Sequence, residues 1–314
     1  MSLVFVTGGA GFIGSHFVDR LLEEGCQVVA YDNLSAGRIE NIKHHLDNAA
    51  FKFIEADLLD LEQVIRSMSG CEMVYHFAAH SDVREGESNT RIDLDNGIIA
   101  AWNVLESMRR NGIRRIAHAS SASVYGETPP VPMAEDHGPL LPVSLYGAAK
   151  VAAEAFISAY CHTFGIQAWM FRFANVVGSR RRNGVITDLV RKLKANPAEL
   201  EILGDGTQCK PYIHVEECID GIMFGITHSS EKTNLFNIGV DSATDVTTIA
   251  NIIVREMKLE DAVFKYTGGD RGWKGDAPQL RFNMNKMKKL GWQPRLTSDE
   301  AVVQAVREII AELK

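Results

Sequence analysis

The first half of the chain repeats one unit: a short apolar run, a turn, then apolar residues at helical spacing. The runs Leu3–Thr7, Gln27–Asp32, Phe51–Ala56, Met73–Phe77, Arg115–Ala119 and Gln167–Phe173 predict strands, and helices are predicted near Ile13–Glu24, Ile92–Asn111 and Leu145–Phe164. Strands alternating with helices imply parallel pairing through right-handed crossovers, so the expected fold class is α/β with a doubly wound parallel sheet. Such sheets bind ligands outside the carboxyl ends of their strands. After Asn175 the rhythm changes to a basic loop (Ser179-Arg180-Arg181-Arg182-Asn183-Gly184), a helix near Val185–Ala195, a strand near Leu200–Leu203 and the turn Gly204-Asp205-Gly206. Tyr212–Val215 and Leu235–Ile238 read as strands again. The expected partition is a main domain over 1–175, with 208–245 partly returning to it, and a smaller interwoven α/β lobe over 176–314.

Composition narrows the function classes. Hydrophobic residues make up 46% of the 314 and charged residues 23%, which describes a globular chain and neither a disordered nor a fibrous one. The net charge of −7 offers no basic footprint for nucleic acid or an anionic membrane. No apolar stretch approaches the roughly eighteen residues that read as a membrane span, and the N-terminus runs into Leu3-Val4-Phe5-Val6 without a signal-peptide pattern, so a cytoplasmic location is expected. Cys26, Cys71, Cys161, Cys209 and Cys218 are widely spaced and read as free thiols. His80, His118 and His214 lack ligand spacing and H-E-x-x-H is absent, so no metal is expected.

Chemistry first appears at Val6-Thr7-Gly8-Gly9-Ala10-Gly11-Phe12-Ile13-Gly14, between the first strand and the first helix. It parses as Gly9-x-Gly11-x-x-Gly14 or as Gly8-x-x-Gly11-x-x-Gly14. Either way the glycines let backbone amides approach a pyrophosphate at a helix N-terminus. The second strand ends in Asp32, whose carboxylate accepts hydrogen bonds from the adenosine ribose and repels a 2′-phosphate. That favours NAD over NADP and a Rossmann-type domain, with Arg38 nearby arguing the other way. Asp57-Leu58 ends the third strand, where it can meet the adenine edge. Ala78-Ala79 follows the fourth, either for close cofactor approach or for simple packing.

Tyr146-Gly147-Ala148-Ala149-Lys150 puts a phenol and an ammonium on one helix face. The ammonium favours the phenolate, which can accept a proton from a sugar hydroxyl. Such a pair also arises by chance on helix surfaces. Upstream, Ser120-Ser121-Ala122-Ser123 ends a strand and supplies either hydroxyls for the same chemistry or strand-end caps.

Glycine loop, Asp32, serine cluster and Tyr/Lys pair, in this order, resemble the extended short-chain dehydrogenase/reductase superfamily, in particular the NAD-dependent sugar-nucleotide epimerase/dehydratase family. Phe171-Arg172-Phe173-Ala174-Asn175, Gly204-Asp205-Gly206-Thr207 followed by Tyr212-Ile213-His214-Val215, and Arg271-Gly272-Trp273-Lys274-Gly275-Asp276 extend the likeness over essentially the whole chain, most closely to the compact UDP-glucose 4-epimerase branch. The resemblance implies Tyr146 as general base, Lys150 on the nicotinamide ribose and Ser121 on the sugar 4-oxygen. Phe12, Ile13, Asp32, Asn33, Asp57, Leu58, Phe77, Ala78 and Ala79 match cofactor contacts, and Asn96 supports the helix carrying the active site. Asn175 matches a contact to the nucleotide-sugar diphosphate. Bound NAD, a UDP-sugar substrate and a homodimer built on the helices near Ile92–Asn111 and Leu145–Phe164 follow as expectations.

Within that family, 4,6-dehydratases carry an Asp-Glu pair immediately after the residue equivalent to Ser121, because eliminating water needs another acid and base. Here Ala122-Ser123 stands instead, and the glutamate that nucleotide-glucuronate decarboxylases place at Ser123 is also missing. The resemblance therefore points to 4-epimerisation of UDP-galactose and UDP-glucose through a 4-keto intermediate. Epimerases of UDP-N-acetylhexosamine or UDP-glucuronate, and net nucleotide-sugar dehydrogenases, are the alternatives. Where many 4-epimerases have Arg-Asp before the Tyr-Ile-His-Val strand, this chain has Lys210-Pro211, a point charge in place of a bidentate fork. Arg271 is the candidate to supply the fork, Asp276 to cap or to hold a ribose hydroxyl, and the Arg180–Arg182 run is a solvated loop or a second anion contact. Leu280 falls where relatives limit bulk at carbon 2 of the sugar, and leucine leaves more room than tyrosine.

Overall fold

The computed structural model describes residues 2–80, 82–127, 131–259 and 261–313. In chain order the elements are β1 (Leu3–Thr7), α1 (Phe12–Glu23), β2 (Gln27–Asp32), β3 (Phe51–Glu55), α2 (Leu61–Ser67), β4 (Met73–His76), α3 (Ala100–Asn111), β5 (Arg115–Ser121), α4 (Leu145–Phe164) and β6 (Gln167–Phe173). They continue with β7 (Asn175–Val177), α5 (Val185–Ala195), β8 (Glu199–Ile202), β9 (Cys209–Lys210), β10 (Tyr212–His214), α6 (Val215–Thr227) and β11 (Thr233–Ile238). The last are β12 (Thr244–Asp245), α7 (Val246–Met257), β13 (Val263–Tyr266), α8 (Asn285–Leu290) and α9 (Ser298–Glu312).

The contacts group the chain into two units. The first comprises Met1–Val124, Leu145–Arg172 and Ile222–Phe236; the second comprises Tyr125–Ser144, Phe173–Gly221 and Asn237–Lys314. Segment 125–144 thus joins the second unit although it precedes α4, and the stretch returning to the first is Ile222–Phe236, narrower than 208–245.

The first unit is built on a seven-stranded sheet in the order β11-β6-β5-β4-β1-β2-β3. β1 pairs in parallel with β2 and β4, β2 with β3, and β4 with β5, so the strand order reverses at β1. A crevice opens beyond the carboxyl ends of strands at such a reversal. Continuous apolar runs suit strands covered on both faces, and Val4, Phe5 and Val6 of β1 are buried. Phe5, Val74, Ile116, Val104, Met108 and Ile157 pack in one apolar cluster.

The helix expected over Ile92–Asn111 is interrupted. Leu94–Ile99 forms a wider π-helical stretch, and regular α-helix starts only at Ala100. Within the stretch the Asn96 side-chain amide donates to the Ile92 carbonyl (3.0 Å), and a Cβ on Gly97 would lie 2.6 Å from the Cβ of Ala149. The missing side chain lets this stretch press against α4 one residue before Lys150.

The second unit holds three two-stranded pairs, β10 with β7 and β13 with β8 in parallel and β12 with β9 antiparallel. Its core combines Leu189, Leu193, Ile202, Ile249, Ile253, Val302 and Ile309 from α5, β8, α7 and α9. Two of its helix starts carry side-chain caps: Asp245 accepts from the Thr248 amide at α7 (2.7 Å), and Thr297 and Glu300 form a capping box at α9.

Candidate functional site

The glycine loop is shaped by its own backbone. The Gly11 amide donates to the Gly8 carbonyl (3.0 Å), and a Cβ on Gly14 would sit 2.0 Å from that carbonyl oxygen. Gly8 has φ +67°, and a Cβ there would meet the Ala78 amide nitrogen at 2.8 Å, so β1 and β4 end in contact. α1 begins at Phe12 with no side-chain cap and no acidic residue in its first turn. The positive end of the helix dipole at that position suits a phosphate group. Phe12 and Ile13 are half-buried in the first turn of α1.

Asp32 ends β2 buried, accepting from the Ala10 amide (3.0 Å) and the Leu34 amide (2.9 Å). Burial raises its pKa, and the amides of Leu34, Ala10 and Gly11 oppose the rise. A Cβ on Gly37 would fall 2.7 Å from both carboxylate oxygens, so only glycine lets the segment after β2 fold over Asp32. Exposed Asn33 donates to Asp57 Oδ2 (3.0 Å), and the Leu58 carbonyl accepts from Asn103 (2.7 Å). The Thr7 hydroxyl receives the Ala78 amide (3.2 Å) and lies 2.7 Å from His76 Nδ1, while the Phe77 ring packs on Phe17 and half-buried Ala79 follows. The strand ends that the sequence nominated are therefore tied to one another, and the uncapped helix start, glycine cradle and terminal Asp32 fit an NAD pyrophosphate and ribose.

Tyr146 and Lys150 lie one turn apart on α4, with the Lys150 Nζ 5.6 Å from the Tyr146 ring centroid. Lys150 is buried and donates to the Ala119 carbonyl (2.6 Å), two residues before Ser121 at the end of β5. Burial pushes Lys150 down to about 8, and the carboxylates of Glu154 and Asp93 partly restore it. The Ser121 oxygen accepts both the amide (3.2 Å) and the hydroxyl (3.0 Å) of Ser123, which leaves its own proton for another acceptor.

Beneath these groups lies a polar layer that motif reading missed. Glu154 holds Arg172 through two contacts (2.8 and 3.0 Å) and accepts the Ser120 hydroxyl (2.5 Å), all three buried. The His76 and His118 rings lie with centroids 5.2 Å apart, tilted by 30°; burial and the nearby Lys150 push His76 down to about 3 and His118 well below the ordinary range. Among the described residues, both ring nitrogens of His118 and one oxygen of Asp93 are buried without a hydrogen-bond partner. Glu154 lies eight positions past Tyr146 on α4, but Ser120, Arg172, His118, Asp93 and His76 are 26 or more positions away, and no spacing rule joins them.

The second unit gathers the residues nominated for the nucleotide sugar. Asn175 donates through its side chain to the Pro211 carbonyl (3.4 Å), next to Lys210, and Lys210 pairs with buried Asp276. Arg271 reaches Glu127 (2.8 Å) and Asp270 (3.3 Å). Buried Leu280 donates its amide to the Cys209 carbonyl (3.2 Å). Buried Gln208 shows no side-chain hydrogen-bond partner among the described residues, and a Cβ on Gly204 would lie 1.9 Å from its amide nitrogen. The basic loop is folded onto α9, with the Ser179 amide on Glu308 (2.9 Å) and the Arg180 amide on Glu312 (2.8 Å).

Residues 4–239 match the model of the NAD dependent epimerase/dehydratase family. The UDP-glucose 4-epimerase of Mycolicibacterium smegmatis is 30% identical over 310 residues, 96% of each chain. A crystal structure of a UDP-galactose 4-epimerase is 35% identical, with TM-score 0.88 over 99% of this chain and 100% of that one. The UDP-glucose 4-epimerase of Thermotoga maritima, solved with UDP-glucose, is 29% identical with TM-score 0.88 over the same shares. With the family model matched over 4–239 and a relative 30% identical over 96% of both chains, this chain belongs to the NAD-dependent epimerase/dehydratase family.

Proposed function

We propose that the protein interconverts UDP-galactose and UDP-glucose by inverting carbon 4 through a 4-keto sugar. One arrangement carries this reading: Tyr146 above a buried Lys150 that is tied to the strand ending in Ser121. NAD, when bound, supplies the acceptor and later the donor of hydride at carbon 4. Tyr146 takes the 4-hydroxyl proton as that carbon is oxidised and gives it back on reduction. The Lys150 ammonium favours the phenolate, and Ser121, its oxygen already occupied by Ser123, donates its proton to the 4-oxygen. A planar ketone accepts hydride on either face, so the stereocentre inverts when the keto sugar turns over between the two transfers.

Lys210 and Arg271 supply positive charge to the diphosphate, Asn175 adds an amide donor, and Asp276 keeps Lys210 in place. Ala122 and Ser123 supply neither the acid nor the base that dehydration needs, which separates this chemistry from 4,6-dehydration. Leu280 favours a second reading, acceptance of N-acetylated sugars, since it leaves room at carbon 2. A second copy of the chain covers the face where Ile99, Trp102, Phe156 and Phe164 are 37–41% exposed.

The test is a panel of UDP-galactose, UDP-N-acetylgalactosamine and UDP-glucuronate, followed by chromatography, for the parent and for Tyr146→Phe. UDP-galactose should be converted, and the variant should keep its fold and its NAD while losing about 10²- to 10⁴-fold in turnover. Turnover on glucuronate alone, or an unimpaired Tyr146→Phe, contradicts the proposal.

A further inference from the structure

Away from the strand ends, α1 and the segment after β2 bring together three side chains with no part in the chemistry above. Asp19 projects from α1, and His44 and His45 sit in a short helical turn at Lys43–His45. Both imidazoles turn their Nε2 atoms toward the same carboxylate oxygen, Asp19 Oδ1, at 3.0 Å from His44 and 2.7 Å from His45. The three potential ligand atoms lie within 4.8 Å of one another. The two rings are 4.0 Å apart and tilted by 47°, and the His45 ring rests against Phe51.

We propose that Asp19, His44 and His45 form a binding site for one divalent transition-metal ion, of the Zn²⁺ or Co²⁺ kind. Two neutral imidazoles can serve one carboxylate oxygen only if each donates its single N–H to it. A cation instead takes both nitrogen lone pairs and the oxygen. Ligand bonds of about 2.0–2.2 Å in a tetrahedral site put donor atoms roughly 3.3–3.6 Å apart, against 3.0 and 2.7 Å from Asp19 Oδ1 to the two imidazole nitrogens here. Two imidazoles and one carboxylate suit zinc, cobalt, nickel or copper, whereas magnesium and calcium prefer sets made only of oxygen. His44 is exposed, so the fourth position faces solvent. No motif marks the site because the carboxylate and the imidazoles come from different elements.

The location gives the ion a structural consequence. Between Asp32 and His44 the chain is fastened to the glycine loop, where the Arg38 amide and the Asn41 side-chain amide both donate to the Ala10 carbonyl at 2.9 Å. An ion at Asp19 fastens the far end of the same segment to α1, so it braces the wall around the adenosine ribose.

The experiment uses untagged full-length protein treated with EDTA and exchanged into a non-chelating buffer. It is titrated with ZnCl₂ and separately with MgCl₂ by calorimetry, and with CoCl₂ by visible absorption. The parent should bind one Zn²⁺ per chain, show the tetrahedral Co²⁺ band and ignore Mg²⁺. The double variant His44→Gln, His45→Gln and the single variant Asp19→Asn should each lose at least about tenfold in Zn²⁺ affinity. Zn²⁺ should also raise the melting temperature of the parent and not of the double variant. Absence of Zn²⁺ binding at micromolar concentration, or equal binding by parent and double variant, overturns the site.

Discussion

Lys150 shows how burial and function are joined in one side chain. Its ammonium is removed from water, held by the Ala119 carbonyl and pushed down to about 8. In the folded protein the charge that supports Tyr146 in the proposed mechanism is present below that pH and lost above it. The alkaline limb of the turnover profile should therefore fall with an apparent pKa near 8, and a rate that stays flat to pH 10 would remove Lys150 from the account. The same shift acts on stability. The unfolded chain holds this proton to higher pH than the folded one, so the apoprotein gains stability as pH rises from about 8 toward the ordinary lysine range. The Tyr146-x-x-x-Lys150 spacing was legible because both residues lie on one helix face. The partners that set the environment of Lys150, Asp93 and Glu154, were not, since the motif carries no information about depth.

At the scale of elements, the strand, glycine loop and first helix could be read directly, because the chemistry is contiguous and each glycine answers a local steric demand. Gly14→Ala places a methyl 2.0 Å from the Gly8 carbonyl oxygen, so α1 must shift away from the loop. The variant should lose at least about tenfold in NAD affinity, measured by quenching of intrinsic fluorescence; unchanged affinity would show that the loop yields freely. The helix before α4 was legible in its extent and not in its form. The π-helical stretch at Leu94–Ile99 depends on Gly97 meeting Ala149, a contact between residues far apart in sequence. The buried Glu154–Arg172 pair was hidden for the same reason. Arg172→Met leaves Glu154 charged in the core without its guanidinium partner, and urea unfolding should show a loss of about 3–5 kcal/mol. A loss below about 1 kcal/mol would mean that water reaches the pair.

For the whole molecule, the alternation of strands and helices was enough to give the doubly wound sheet, but the division into units was not. Contacts assign 125–144 to the second unit and return 222–236 to the first, since grouping depends on which core each apolar face meets. α7 and α9, which supply much of the second core, fall in a region where no strand–helix alternation announces them. The net charge of −7 offers no basic footprint for a polyanion, yet the proposed ligands are nucleotide anions. In the proposed function local groups such as Lys210 and Arg271 meet them, and the overall charge does not. The exposed apolar residues of α3 and α4 predict a dimer: light scattering should give twice the chain mass, and Trp102→Glu with Phe156→Glu should return it to one. A monomeric parent would leave that face without an occupant.

In the proposed reaction, oxidation and reduction occur on one bound cofactor with no net redox change. Purified protein given UDP-galactose and no added cofactor should release UDP-glucose over many turnovers, with no growing absorbance at 340 nm. Stoichiometric accumulation of NADH with a keto or acid product, or dependence of every turnover on added NAD, would contradict it.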